Sequence, residues 1–231
     1  MNTSRKTATI VGALFLISYF GVIAGSGLLE PLLSAPESLA NLYQQKAQVM
    51  IGVFLELVNG IAVVGIAVIL YPLLKHYSEG IALGYVSMRV LECSMQIAMD
   101  FSPLTALNLS QEFVKTGALE ASSFLVTGSL LLAERQSASL MLAIFFSAGG
   151  MLFYYLLYQS KLLPRFISVW GFVAVVLVLV MNFLEVSMPL GLIFALPIIL
   201  NELFLAIWLI VKGFNPSTIV SESAGVERST I

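Results

Sequence analysis

Six stretches of about 20 mostly apolar residues run through this chain, and each is the length a helix needs to cross about 30 Å of hydrocarbon at 1.5 Å per residue. They extend from about Ala8 to Leu29, Val49 to Leu74, Ile81 to Phe101, Ala138 to Tyr158, Phe166 to Val186 and Pro189 to Val211. The residues between them cannot supply a water-facing surface. Only 10% of the 231 residues are charged and 59% are hydrophobic, whereas a soluble domain carries about 25% charged residues. Lipid must therefore cover the outside. The expected fold is an all-α integral membrane bundle of about six transmembrane helices, forming one membrane domain over residues 1–213. A tail over 214–231, rich in Ser, Thr and Gly, is expected to be disordered.

Between the third and fourth stretches lies a long segment, Leu104 to Ser137, preceded by Ser102-Pro103, where a helix would kink or end. Its apolar part, around 119–133, is short for a crossing and is expected to form an interfacial helix. With six spans, Arg5, Lys6, Lys75, Lys161, Arg165, Lys212 and Arg228 fall on one side. Lys46, Lys115 and Arg135 fall on the other, among Glu30, Glu37, Glu112, Glu120 and Glu134. Positive charge gathers on the cytoplasmic side, so both termini are expected there. The basic start and Ala24-Gly25-Ser26 resemble a signal peptide, but the apolar stretch is long enough to span and is expected to stay uncleaved. Gly21 and Gly25 within it form a small-xxx-small pair suited to close helix packing.

Ionisable residues inside spans are costly, about 2.5–3.5 kcal/mol at mid-bilayer on insertion scales, so each calls for an explanation. Tyr85, Arg89, Glu92, Gln96 and Asp100 step by four, three, four and four residues and share one face of the third span. Gln45, Gln48, Gly52, Glu56 and Asn59 form a matching stripe on the second. Asn182 and Glu185 lie on the fifth, and Asn201 and Glu202 on the sixth. Axial rise places Arg89 and Glu202 about 12–15 Å deep, with Glu56, Gln96 and Asp100 nearer the outer surface. Two levels are expected: a central Arg89–Glu92–Glu202 group and an outer acidic group. Five acids against Arg89 alone suit a proton relay or a cation site, and hydrogen-bonded polar residues equally serve to hold membrane helices together.

The same inventory excludes several functions. A net charge of −2 disfavours nucleic acid as a partner, and one cysteine with one histidine builds neither a disulfide nor a Cys/His zinc site. No nucleotide-binding, hydrolase or metalloprotease fingerprint is present, so neither a cofactor nor a catalytic set is expected. His76 reads as an edge residue, Cys93 as packing, and Trp170, Trp208 and the Tyr154-Tyr155 and Tyr158 tyrosines as packing or interface anchors.

Two stretches are distinctive: Tyr158-Gln159-Ser160-Lys161-Leu162-Leu163-Pro164-Arg165, and Asn201-Glu202-Leu203 followed by Trp208-Leu209-Ile210-Val211-Lys212-Gly213. Together with Arg89 they resemble a bacterial multi-pass family catalogued as domain of unknown function 4386, from the first span to Gly213. The resemblance implies a bacterial plasma-membrane protein and brings no activity or substrate with it. The residues themselves favour binding or translocation of a small solute or proton, through Arg89, Glu92, Glu202, Gln96, Asn201, Glu56, Asn59 and Asp100. The competing reading is a non-catalytic interaction or sensor subunit in which the same residues are packing glue. Lipid is the expected surroundings, and a carrier this small would be expected to form a homo-oligomer.

Overall fold

The computed structural model describes residues 3–115, 121–184 and 188–215. Among them the chain forms six α-helices and no strand: α1 (Thr3–Leu29), α2 (Lys46–Leu74), α3 (Glu79–Lys115), α4 (Ala121–Ser160), α5 (Arg165–Phe183) and α6 (Met188–Val211). Two 3-10 helices, Glu30–Leu32 and Pro36–Gln45, join α1 to α2. Five segments are long and apolar enough to cross a membrane: those of α1, α2, α4, α5 and α6. The remaining helix, α3, is 37 residues long and carries Arg89, Glu92 and Asp100. The chain is an all-α membrane protein.

Two features differ from the sequence expectation. Among the described residues of 104–137 there is no separate short helix. α3 runs through Pro103 to Lys115, and residues 121–133 are the first turns of a 40-residue α4. At 1.5 Å per residue α3 and α4 are about 55 and 60 Å long, nearly twice the hydrocarbon thickness. The second feature concerns the tail. Phe214 is buried and the Asn215 backbone N–H donates to the Leu162 carbonyl at 2.9 Å, so both residues belong to the folded part. The rest of the expected tail, 216–231, lies outside the described residues.

The helices pack into two compact units. One comprises residues Met1–Leu16, Val64–Val90 and Ala143–Ile231. Its core gathers Phe15, Leu70, Tyr85, Phe153, Tyr154 and Leu205, with Phe153 stacked on Tyr85 at 5.0 Å between ring centroids. At its edge α6 ends as Lys212-Gly213 foreshadows. Gly213 adopts φ +76°, and its N–H and that of Lys212 both return to the Trp208 carbonyl. Arg5 closes the same helix end, donating through Nη2 to the carbonyls of Ile210 at 2.8 Å and Val211 at 2.7 Å. A Cβ on residue 213 would stand 2.8 Å from Arg5 Nη1, the movable end of that side chain, so it is chiefly the positive φ that calls for glycine there.

The other unit comprises Ile17–Val63 and Leu91–Leu142. Its core holds Leu29, Leu39, Leu42, Val49, Ala106 and Phe124. The 3-10 turns are pinned to α3 through Ser110, whose hydroxyl accepts from the Tyr43 N–H and donates to the Ala40 carbonyl, both at 3.0 Å. Gly21 and Gly25 do what their spacing predicts. A Cβ on Gly21 would meet the Leu55 carbonyl at 2.7 Å, and one on Gly25 would meet Glu56 Cγ at 2.8 Å. Without side chains at these positions, α1 lies backbone-close on the polar face of α2.

Candidate functional site

The unit built from Ile17–Val63 and Leu91–Leu142 encloses a cluster of charged side chains. α2 supplies Glu56, α3 supplies Gln96 and Asp100, and α4 supplies Arg135, all less than a tenth exposed. Arg135 Nη2 lies 3.3 Å from Glu56 Oε1 and 3.1 Å from Oε1 of Glu30, whose side chain is 58% exposed. Glu56 also accepts from Gln96 Nε2 at 2.9 Å and from the Ser26 hydroxyl of α1 at 3.0 Å. Four helices thus converge on one carboxylate.

Pro103 explains why Arg135 reaches this place. A proline has no N–H to return to the carbonyl four residues earlier, which leaves the Met99 carbonyl without its intrahelical partner. Arg135 Nη1 donates to that carbonyl at 3.2 Å. A neighbouring helix can re-satisfy a proline-freed carbonyl in this way, and the helix then continues instead of ending. One turn away, the Ser102 hydroxyl donates to the Leu131 carbonyl at 2.8 Å, holding α3 on α4. Sequence reasoning placed Arg135 in an outer loop; the structure buries it on a continuous helix at the centre of the cluster.

Asp100 stands apart in its chemistry. It is 2% exposed and lies beside Glu56 and Gln96, yet neither of its carboxylate oxygens accepts a hydrogen bond of good geometry from the described residues. The cluster therefore holds two fully buried carboxylates against one buried guanidinium, with Glu30 at its exposed margin.

The other expected site residues are distributed more widely. Asn59, one turn along from Glu56, accepts from the Ser18 hydroxyl at 2.6 Å and ties α1 to α2. Glu92 is buried on α3 in the same unit. In the unit that contains the chain's first and last described residues, Arg89 packs its guanidinium between two rings, 5.4 Å from the centroid of Tyr85 and 5.3 Å from that of Phe146. Gly149 lets α4 lie close on α3 there, since a Cβ on it would stand 3.1 Å from Met88 Cβ. Glu202 is buried on α6 in that unit, and its neighbour Asn201 accepts from the Tyr154 hydroxyl at 2.8 Å and donates to the Ile167 carbonyl at 3.0 Å. Asn201 thereby binds α4, α5 and α6 together. Glu185 lies outside the described residues. No group of three or more His, Cys, Asp or Glu among the described residues could hold a metal ion.

A family model, described as a domain of unknown function (DUF4386), matches residues 10–213. The chain belongs to that family. The match takes in every described helix except the first turns of α1, and it includes both stretches that carry the resemblance in the sequence. No curated protein and no solved structure matches the chain. In this DUF4386 protein the two stretches are close in space. Asn215, just past the Trp208–Gly213 ending, bonds to Leu162 of the other stretch, and Arg165 at the start of α5 lies 4.9 Å from the ring of Tyr158.

Proposed function

We propose that this membrane protein binds a proton or a small cationic solute at the Glu56–Asp100–Arg135 cluster, with Gln96 orienting Glu56. The observation that carries the reading is the charge excess at Asp100. Two buried carboxylates face one buried guanidinium, and among the described residues neither Asp100 oxygen accepts a hydrogen bond of good geometry. A buried polar group without a hydrogen bond is expensive, and an uncompensated buried charge more so. A proton shared between Asp100 and Glu56, or a cation seated beside them, removes that cost. Intramembrane acids arranged this way mark ion and proton pathways. Glu92, which is buried, and Asn59, which is half-buried, lie in the same unit and are candidates to line a route for the same solute. The expected setting is a bacterial plasma membrane with both termini in the cytoplasm, as the distribution of Lys and Arg favours.

The competing reading makes the cluster a clasp between helices. Its support is specific: Arg135 serves both Glu56 and the Met99 carbonyl freed by Pro103. Infrared difference spectroscopy of the purified protein separates the two. The binding reading expects a protonated-carboxyl band in the absence of cations. That band shifts in heavy water, is abolished by Asp100→Asn, and responds to added sodium, potassium or a small amine. Spectra with every carboxylate ionised, together with thermal stability indifferent to those cations, would leave only the clasp.

A further inference from the structure

The two sequence stretches that single out this family play no part in the buried cluster, yet they converge on one cavity. The turn joining α4 to α5 and the end of α6 enclose about 570 Å³, within the roughly 300–1,000 Å³ of small-molecule sites. Among the described residues its lining carries three cations, Lys161, Arg165 and Lys212, together with Trp208, and no carboxylate. We propose that this pocket binds a phosphate-bearing anion, carried on a lipid headgroup or free in solution.

The backbone prepares the site as much as the side chains do. Pro164 caps α5 without any side-chain hydrogen bond to the helix end, and Pro164 and Arg165 line the pocket, so the start of that helix, where partial positive charge favours an anion, borders it. The end of α6 would oppose this with its carbonyls, but Arg5 takes those of Ile210 and Val211. Lys212 is thereby released from capping and lies 4.4 Å from the ring of Trp208, at the cavity wall.

The turn is also fixed. Lys161 holds φ +53°, a left-handed conformation that is strained for a non-glycine residue and tends to occur where ligands are clamped. Leu162 and Leu163 are buried beneath it, and the Leu162 carbonyl accepts from the Asn215 N–H. The three cations are therefore presented at the surface from a rigid base. Basic pockets at the ends of membrane helices are a recognised way to seat anionic headgroups.

The test uses the full chain and two probes. Detergent-purified protein is titrated with inorganic phosphate at constant ionic strength, with Trp208 fluorescence as the readout. The same protein is reconstituted in vesicles of phosphatidylcholine alone and of phosphatidylcholine with phosphatidylglycerol, and its melting temperature is compared. Saturable quenching or enhancement by phosphate shows that the anion alone suffices. A rise in melting temperature with phosphatidylglycerol and no response to phosphate shows that the lipid is the carrier. Arg165→Gln and Lys212→Gln should each weaken binding roughly fivefold, and the pair together roughly 25-fold. Arg165→Lys, which keeps the charge, should retain the response. Lys75→Gln, an exposed lysine outside the pocket, should bind as wild type. Silence with both probes would overturn the proposal. So would a Lys75→Gln variant as weakened as the pocket variants, or an Arg165→Lys variant as impaired as Arg165→Gln.

Discussion

Removing Arg135 should reveal how much of the buried cluster is held by a single guanidinium. In Arg135→Gln, Glu56, whose side chain is 2% exposed, loses the cationic partner it has among the described residues, and the Met99 carbonyl loses its donor. In water-soluble proteins, breaking a buried ion pair costs about 3–5 kcal/mol, because the surviving charge stays buried. Between membrane helices, hydrogen bonds couple by only about 0.6 kcal/mol on average and about 1.7 at most, since the unfolded chain in lipid finds other partners. The Arg135–Glu56 pair leaves a net charge when broken, so its coupling should exceed that upper figure and reach about 2–3 kcal/mol. The Arg135–Glu30 pair provides an internal control. Glu30 is 58% exposed, and a pair screened by solvent on one side should couple by under about 1 kcal/mol. Both cycles can be measured by unfolding in dodecyl sulfate mixed with a mild detergent, using Gln at positions 30, 56 and 135 singly and in pairs. A coupling to Glu56 no larger than that to Glu30 would refute the view that burial makes the first pair strong.

Two further substitutions test packing. Gly171→Ala would place a Cβ 2.1 Å from the Tyr154 ring, which is fully buried and bonded to Asn201; a loss of about 1–3 kcal/mol should appear as a lower melting temperature, and an unchanged melt would show that the ring yields freely. Gly213→Ala forces an alanine into φ +76° against Arg5. It should cost about 1–2 kcal/mol from backbone conformation before any collision, and combining it with Arg5→Ala should recover part of the loss; equal losses with and without Arg5 would assign the whole cost to φ.

Much of the fold was legible because membrane helices are constrained by length and polarity alone. The ends of α2 and α6 match the apolar stretches closely, and the Gly21/Gly25 spacing marked a packing face of α1, which the structure lays on α2. The four-three-four-four spacing likewise aligned Gln96 and Asp100 on the face of α3 that meets Glu56. Arg135 was missed for a physical reason. Glu134-Arg135-Gln136 breaks the apolar pattern at a point where helix and loop look alike in hydropathy, and Pro103 suggested that α3 stopped. Two signals pointed the other way: no proline occurs from Ala121 to Ser160, and a proline at 103 leaves a carbonyl at Met99 in need of a donor. Asn201 was a candidate as a polar residue inside a span, and its bonds to Tyr154 and Ile167 also make it a joint between three helices. Nothing local in a sequence distinguishes those roles, because the partners are 47 and 34 residues away.

The contact between Arg5 and the end of α6 bears on biogenesis. Its donor leaves the ribosome early, while its acceptors follow 205 and 206 residues later. At a synthesis rate of about 5–20 residues per second, α1 waits on the order of 10–40 seconds for the carbonyls that complete it. Until then the first helix can enter the bilayer but cannot finish docking, and a chain halted before Ile210 leaves Arg5 without its acceptors there. The contact makes completion of the first helix depend on arrival of the last, so a product truncated before Ile210 lacks this finished edge.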